Sequence, residues 1–153
     1  TTERQFRIGD VMVDILNPPA VVPGIQTASG ESYNNRSIVL KVTTGNCAIL
    51  FPGDIEAAAE AALMTRCRAK LPSQVLVAPH HGSRSSSTGD FIDIVAPRWV
   101  IFSAGWSNRF GFPHAAVLER YQQRGCRILR TDRHGAISLR TRGRSWQVHA
   151  HAE

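Results

Sequence analysis

Residues 75–87 read VLVAPHHGSRSSS, and this stretch decides what kind of fold the chain adopts. The apolar run 75–78 lies between Pro72 and Pro79, which predicts a short buried strand. Two adjacent histidines and Gly82 follow that strand. The carboxyl ends of strands are where open α/β sheets place their ligands. The stretch therefore predicts a sheet with a polar site at the edge where this strand ends.

The segments on either side predict the rest of such a sheet. Two hairpins come first, RQFRIGDVMVDILNPP with a turn at Gly9–Asp10, and strands over 37–43 and 47–51 around Gly45–Asn46. Apolar spacing predicts three helices, IEAAAEAALMTR, TGDFIDIVA and HAAVLERYQQR. Further strands are predicted at 98–104, 126–130, 135–140 and 145–149, and a long loop at 18–35. This order indicates an α/β or α+β fold, with a layered sheet and helices outside it.

Composition and charge limit the classes of protein to which this chain can belong. With 153 residues, of which 42% are hydrophobic and 20% charged, the chain predicts one globular domain over residues 1–153. No apolar run of about 18 residues occurs, and the first ten residues lack the features of a signal peptide. The three cysteines form no CxxC pair and predict buried thiols. The net charge of +6 suits a polyanionic partner, such as nucleic acid or an anionic membrane surface.

Two segments carry residues that suit metal chemistry. Asp54, in LFPGDIE, either caps the helix that follows or offers a carboxylate that bridges two metal ions. His80 and His81 could bind a metal, transfer protons or pack in the core. Gly82 permits close approach of the backbone beside them.

Other polar residues in the same loops suit an anion. Ser83 and Arg84 offer hydroxyl and guanidinium donors to phosphate oxygens. Asn108 and Arg109 precede a helix whose first turn holds His114, and exposed amides at a helix start attract anions. His114 could contact phosphate, bind metal or simply be exposed. Taken alone, these residues predict a candidate anion or metal site.

Four separated motifs together resemble the carboxyl-terminal region of ComEC-type competence proteins. They are NNRSIVL, FPGDIE, VLVAPHHGSRSSS and NRFGFPHAAVLERYQQRGCRILRTDRHGAISL, in the order found in that family. In the family this region is a metallo-β-lactamase-like domain at the end of a membrane DNA-uptake channel. The resemblance implies an α/β fold that is part of an αββα metallo-β-lactamase-like sandwich. It also implies a soluble domain of a bacterial inner-membrane protein, whose partners are DNA and the channel region of the same polypeptide.

The resemblance further implies a metal-dependent nuclease, a phosphodiesterase acting in natural transformation. Asp54 matches the bridging aspartate of that superfamily and His80 its last metal-binding histidine, with zinc or manganese as the ion. His81 would act beside them in catalysis. The substrate contacts would be Ser83, Arg84, Asn108, Arg109 and His114.

Departures from the family pattern limit this expectation. The family's HxHxDH motif is absent, because no histidine precedes His80, and Phe112 stands where relatives usually have histidine. We therefore expect the second half of the domain, with weak or absent metal binding and no nuclease activity in this chain alone. A sheet face left bare would favour a homo-oligomer. The alternatives are a non-catalytic module that binds DNA or a channel, and another hydrolase of the superfamily, acting for instance on phosphocholine or nucleotides.

Overall fold

The computed structural model describes residues 4–19 and 32–151, and a seven-stranded sheet forms its centre. Its strands lie side by side in the same order as they occur along the chain. They are β1 (Arg4–Ile8), β2 (Val11–Asn17), β3 (Val39–Thr44), β4 (Cys47–Phe51), β5 (Val75–Val77), β6 (Trp99–Phe102) and β7 (Arg127–Arg130). The pairs from β1 to β4 are antiparallel, and those from β4 to β7 are parallel. The α/β prediction is thus confirmed as a mixed sheet, while residues 20–31 of the predicted long loop lie outside the described residues.

Helices cover one face of this sheet. They are α1 (Ala57–Cys67), α2 (Gly89–Val95) and α3 (Ala115–Gln122). The single turn α4 (Thr131–His134) joins β7 to the next strand, and 3-10 turns lie at Tyr33–Arg36, Arg68–Lys70 and Pro79–Gly82. The fully buried Leu76 and Val100 of the parallel strands pack in one cluster with Leu63, Phe91 and Tyr121 of the helices. None of the helices in the described ranges has the length and hydropathy needed to cross a bilayer.

A two-stranded hairpin packs on the opposite face. Its strands are β8 (Ala136–Thr141) and β9 (Trp146–His151). Buried Ile49, Val75 and Ile101 of the large sheet pack there against side chains that include Leu139 and Trp146. The parallel strands are therefore covered on both faces, which explains why VLV is an unbroken apolar run instead of an alternating one.

The β1 edge of the sheet carries exposed apolar side chains. Phe6 is 47% exposed and Ile8 65% exposed. Phe6 shares a register row with Val13, Val42 and Ile49, so it lies on the face that the hairpin covers farther along the sheet. An exposed edge strand with apolar side chains favours pairing with another chain.

We expect the chain to self-associate through this edge. The double substitution Phe6→Lys/Ile8→Lys should raise the dissociation constant of the dimer at least about tenfold, since burying one large apolar side chain contributes about 1.5–3 kcal/mol. Light scattering across a concentration series measures the change. Ile38→Lys is the control, because Ile38 is 61% exposed outside the strands. A monomer at every concentration of the unmodified chain would contradict the expectation.

Candidate functional site

The loop after β5 holds its two histidines in an unusual backbone conformation. His80 has φ 49° and His81 has φ 54°, and Gly82 follows with φ 86°. Left-handed backbone at residues other than glycine costs on the order of 1–3 kcal/mol each and concentrates at functional sites. Two of the hydrogen bonds that hold the loop run to neighbouring segments, from the His80 N–H to the Gly53 carbonyl (3.0 Å) and from the His114 N–H to the Gly82 carbonyl (3.1 Å). These bonds bring the loops that hold Asp54, His80 and His114 to one edge of the sheet.

His81 faces Asp54 across this edge. Its Nε2 lies 3.4 Å from Asp54 Oδ1, and its Nδ1 lies 2.8 Å from the carbonyl oxygen of Ser103. A carbonyl only accepts hydrogen bonds, so Nδ1 carries a proton and donates it. In the neutral ring Nε2 is then an acceptor that points at a carboxylate. A cation shared by the two groups, either a proton or a metal ion, makes this contact favourable.

His80 is oriented by a second carboxylate. Its Nδ1 lies 3.6 Å from Glu56 Oε1 and 3.5 Å from the Ser85 hydroxyl oxygen, and that hydroxyl donates to the same Glu56 oxygen at 2.9 Å. This hydrogen bond from Ser85 lowers the pKa of Glu56, so the carboxylate stays charged beside the ring. A proton on Nδ1 of His80 leaves Nε2 open. Histidines that bind metals are oriented in this way, through a carboxylate or carbonyl on the other ring nitrogen.

The structure answers the question of whether Asp54 caps a helix. Helix α1 begins at Ala57 with Glu56 as its N-cap, so Asp54 lies two residues before the cap and the capping alternative is wrong. The backbone around it is fixed instead by a neighbouring segment. The Asp54 N–H donates to the Ser37 hydroxyl at 3.1 Å, and the Glu56 N–H donates to Asn35 Oδ1 at 2.8 Å.

The described residues do not make up a complete metal centre. A zinc site takes about three to four protein ligands. Across 4–19 and 32–151, no group of three or more His, Cys, Asp or Glu side chains is placed to hold an ion. The direct contact of Asp54 is with His81, whereas the metal pair predicted from the sequence is Asp54 and His80. That pair stays a prediction.

The loop before α3 supplies the remaining predicted contacts. Asn108 is engaged within the loop: its Nδ2 donates to the Phe112 carbonyl at 2.8 Å and its Oδ1 accepts the Phe112 N–H at 2.9 Å. Arg109 is exposed, with its guanidinium carbon 4.8 Å from the centre of the Phe110 ring. His114 is the N-cap residue of α3. Asn108 therefore orders the loop, and the ligand-contact roles of Arg109 and His114 stay predictions.

The serine-rich segment combines one exposed donor with an internal network. Arg84 is exposed, and the Ser83 hydroxyl lies 3.0 Å from the Ser85 hydroxyl. The substrate-contact roles of Ser83 and Arg84 stay predictions.

Phe112 lies between the two histidine loops, with its ring centre 5.8 Å from that of His80 and 5.2 Å from that of His114.

Sequence reasoning missed two carboxylates that shape this edge. Glu56 orients His80, and its only signal was a second acidic residue two positions after Asp54. Glu60 is fully buried in α1 and accepts the N–H groups of Ser87 (2.6 Å) and Thr88 (2.9 Å). Its signal was a glutamate within the alanine-rich face of the helix. Glu60 thereby fixes the end of the loop that starts at His80.

Comparison with known proteins gives related sequences. Competence protein ComA of Neisseria gonorrhoeae is 40% identical over 106 residues, which are 69% of this chain and 15% of that protein. ComE operon protein 3 of Bacillus subtilis (strain 168) is 36% identical over 139 residues, 91% of this chain and 17% of that protein. This chain is related to competence proteins. Recombination protein 2 of Haemophilus influenzae is 33% identical over 120 residues, 78% of this chain and 14% of that protein.

The relationship covers a small part of each relative. The chain spans less than a fifth of the length of each of these three relatives. No protein-family model matches it. The predicted resemblance is therefore confirmed as far as competence proteins, and the metallo-β-lactamase-like architecture stays a prediction.

Proposed function

We propose that this chain forms part of the phosphodiester-binding centre of a protein that takes up DNA in natural transformation. The observation that carries the proposal is the contact between His81 and Asp54, next to a His80 ring that Glu56 orients. The histidines have a strained backbone, their loop is held by hydrogen bonds to two neighbouring segments, and they face carboxylates. Such an arrangement suits a site that holds a cation. The names of the competence relatives and the net charge of +6 support DNA as the substrate.

The complete centre would contain a divalent metal, zinc or manganese. Asp54 and His80 would be two of its ligands, and the others would be groups that the described residues do not supply. When bound, such an ion polarises a phosphoryl oxygen and supplies a hydroxide at neutral pH. The helices on one face of the sheet and the hairpin on the other support a part of an αββα sandwich as its scaffold.

The residues of this chain would hold and orient the DNA phosphate. Arg84 and Arg109 are exposed guanidinium groups at this edge, and guanidinium groups bind phosphate oxygens through paired hydrogen bonds. The His114 ring, at the start of α3, would donate to the same phosphate. His81 would keep the Asp54 carboxylate oriented, because its own ring is fixed by the Ser103 carbonyl.

A second candidate is a module that binds DNA without cleaving it. The position of Phe112 favours it, since an apolar ring lies between His80 and His114 where the family usually has a histidine. Both candidates predict DNA binding at this edge. They differ in whether the complete gene product cleaves single-stranded DNA with manganese or zinc added.

His114→Ala tests the phosphate contact. In the complete gene product we expect the rate of DNA cleavage to fall by roughly 10²-fold, because the loss of one donor to a reacting oxygen has an effect of that order. The free energy of unfolding should change by less than about 1 kcal/mol, since the ring contact that this half-buried side chain makes is a single edge contact with Phe112. His151→Ala, at an exposed position in β9, is the control. Equal cleavage by His114→Ala and the unmodified protein would remove His114 from the site.

A further inference from the structure

A basic cleft lies at the other end of the parallel strands from His80 and His81. Its volume is about 780 Å³, within the range of pockets that hold small molecules. Gln74 and Arg98 directly precede β5 and β6, and Arg127 begins β7. The hairpin β8–β9 closes the cleft with residues 144–149. The cleft is therefore separated from the histidine edge by the length of the parallel strands.

The charge of this cleft has one sign. Arg98, Arg127 and Arg144 line it and are all exposed. No aspartate or glutamate lies among the described residues that line it. Within the described part of the chain, the ion pairs join other residues, so none of these three guanidinium groups is neutralised there. Unpaired like charges around a concave surface attract an anion.

One of these arginines is held in place by an aromatic ring. The guanidinium carbon of Arg127 lies 4.9 Å from the centre of the Trp99 ring. Trp99 is in turn packed against the apolar cluster beneath the hairpin. A guanidinium held over an aromatic ring by this attraction is partly immobilised and keeps N–H groups available, which suits contact with phosphate.

The cleft continues into a second one on the hairpin. Arg144 lines both, and the second is also lined by Arg140 and Arg142. The arginines at 98, 127, 144, 142 and 140 thus form one track, which we call the hairpin track. A track of this kind suits a repeating anion, in which one phosphate follows another along a chain.

We propose that the hairpin track binds the phosphate backbone of a nucleic-acid strand, at a site separate from the histidine edge. An anionic membrane would need a surface that a flat bilayer can reach, whereas Arg98, Arg127 and Arg144 line a cleft between the hairpin and the sheet. The proposal does not depend on phosphodiester chemistry at His80 and His81. It requires binding alone, and binding can be measured without any cleavage.

The test is the affinity of the 153-residue chain for a fluorescent single-stranded oligonucleotide, measured by anisotropy across a salt series. Arg98→Glu/Arg144→Glu changes neither partner of the Arg127–Trp99 contact, and we expect it to weaken binding at least about tenfold at moderate salt. The salt slope should fall by roughly 0.7 for each phosphate that the variant no longer neutralises. Arg7→Glu/Arg68→Glu is the matched control, because it makes the same change in net charge at exposed positions outside both clefts.

Three results separate the alternatives. Equal weakening by the control pair would overturn the proposal, since the effect would then be one of net charge alone. Binding to vesicles of anionic lipid that the track variant weakens, without any change in oligonucleotide binding, would overturn it in favour of a membrane. Arg109→Ala/His114→Ala should retain most of the track affinity. If that variant instead loses all binding while the track variant retains it, the histidine edge is the sole nucleic-acid site and the track is not one.

Discussion

Gly82→Ala should lower the free energy of unfolding by on the order of 3 kcal/mol, because overpacking a core position typically costs about 1–3 kcal/mol and the left-handed backbone adds to that cost. A Cβ at Gly82 would lie 2.6 Å from the Cβ of Pro113 and 2.8 Å from Cε1 of Phe102. Phe102 is fully buried and Pro113 is buried, so neither can move aside at low cost. The left-handed φ of 86° adds a backbone penalty for any residue with a Cβ.

The control for this substitution is Gly111→Ala. Gly111 also has a positive φ, 65°, but a Cβ there would meet no atom within 4 Å. We therefore expect Gly111→Ala to cost only about 1 kcal/mol, the conformational part of the effect. Urea denaturation of both variants measures the difference. Similar losses for the two glycines would mean that the close approach of the HHG loop to Pro113 does not limit the structure.

The same substitution should disturb the site as well as the stability. The Gly82 carbonyl accepts the N–H of His114, and Gly82 directly follows the two left-handed histidines. A shift that relieves the Cβ contact must therefore move His81 relative to Asp54, or move His114 relative to both. A small side chain at residue 82 would thus separate the loops on which the proposed site depends.

The sheet could be predicted because its signals are local. Turn residues at Gly9–Asp10 and Gly45–Asn46 gave both hairpins, and the apolar run 75–78 gave a buried strand, β5. The boundaries that shifted are at junctions: α1 begins at Ala57 rather than at Ile55, because the two residues after Asp54 stay in the loop held by Asn35 and Ser37. The short helix α4, between the strands predicted at 126–130 and 135–140, was not predicted, since its four residues carry too little periodicity to indicate a helix.

The geometry of the site could not be predicted because it depends on backbone angles and on distant partners. Adjacent residues in a left-handed turn direct their side chains to different neighbours, so His81 contacts Asp54 while His80 meets Glu56. No spacing rule distinguishes these two outcomes. The hairpin track is a stronger example, since Arg98, Arg127 and Arg144 become neighbours only when the parallel strands align and the last hairpin folds back over them.

Glu60→Ala is the second substitution with a large expected effect. Glu60 is fully buried and accepts the N–H groups of Ser87 at 2.6 Å and Thr88 at 2.9 Å. Alanine would leave both donors without an acceptor, at about 1–3 kcal/mol each. We therefore expect a loss of about 3 kcal/mol in the free energy of unfolding. Glu60→Gln, which keeps one carbonyl oxygen but turns a donor toward the other N–H, should lose less than Glu60→Ala.

The pH dependence of stability gives a separate readout of Glu60. Burial raises the pKa of this carboxyl and outweighs the hydrogen bonds from Thr88 and Ser87, which lower it. The folded state therefore binds the proton more tightly than the unfolded state, whose pKa is near the ordinary value of 4.5. The stability contributed by the protonated carboxyl is fully present below that value and is lost as pH rises through the folded pKa.

The difference in unfolding free energy between the unmodified chain and Glu60→Gln isolates this contribution. Glu56, Asp93 and Asp132 have lowered pKa values because of hydrogen bonds from Ser85, Arg124 and Arg130, so their stabilisation changes with pH in the opposite sense. Those groups are the same in both proteins and cancel in the difference.

We expect the stability advantage of the unmodified chain over Glu60→Gln to shrink as pH rises above 4.5. Glu119→Gln, at an exposed position of α3, is the control and should show no such trend. An advantage that grew with pH would show that the two N–H donors outweigh burial, and that Glu60 is held as a carboxylate in order to fix the loop behind His80.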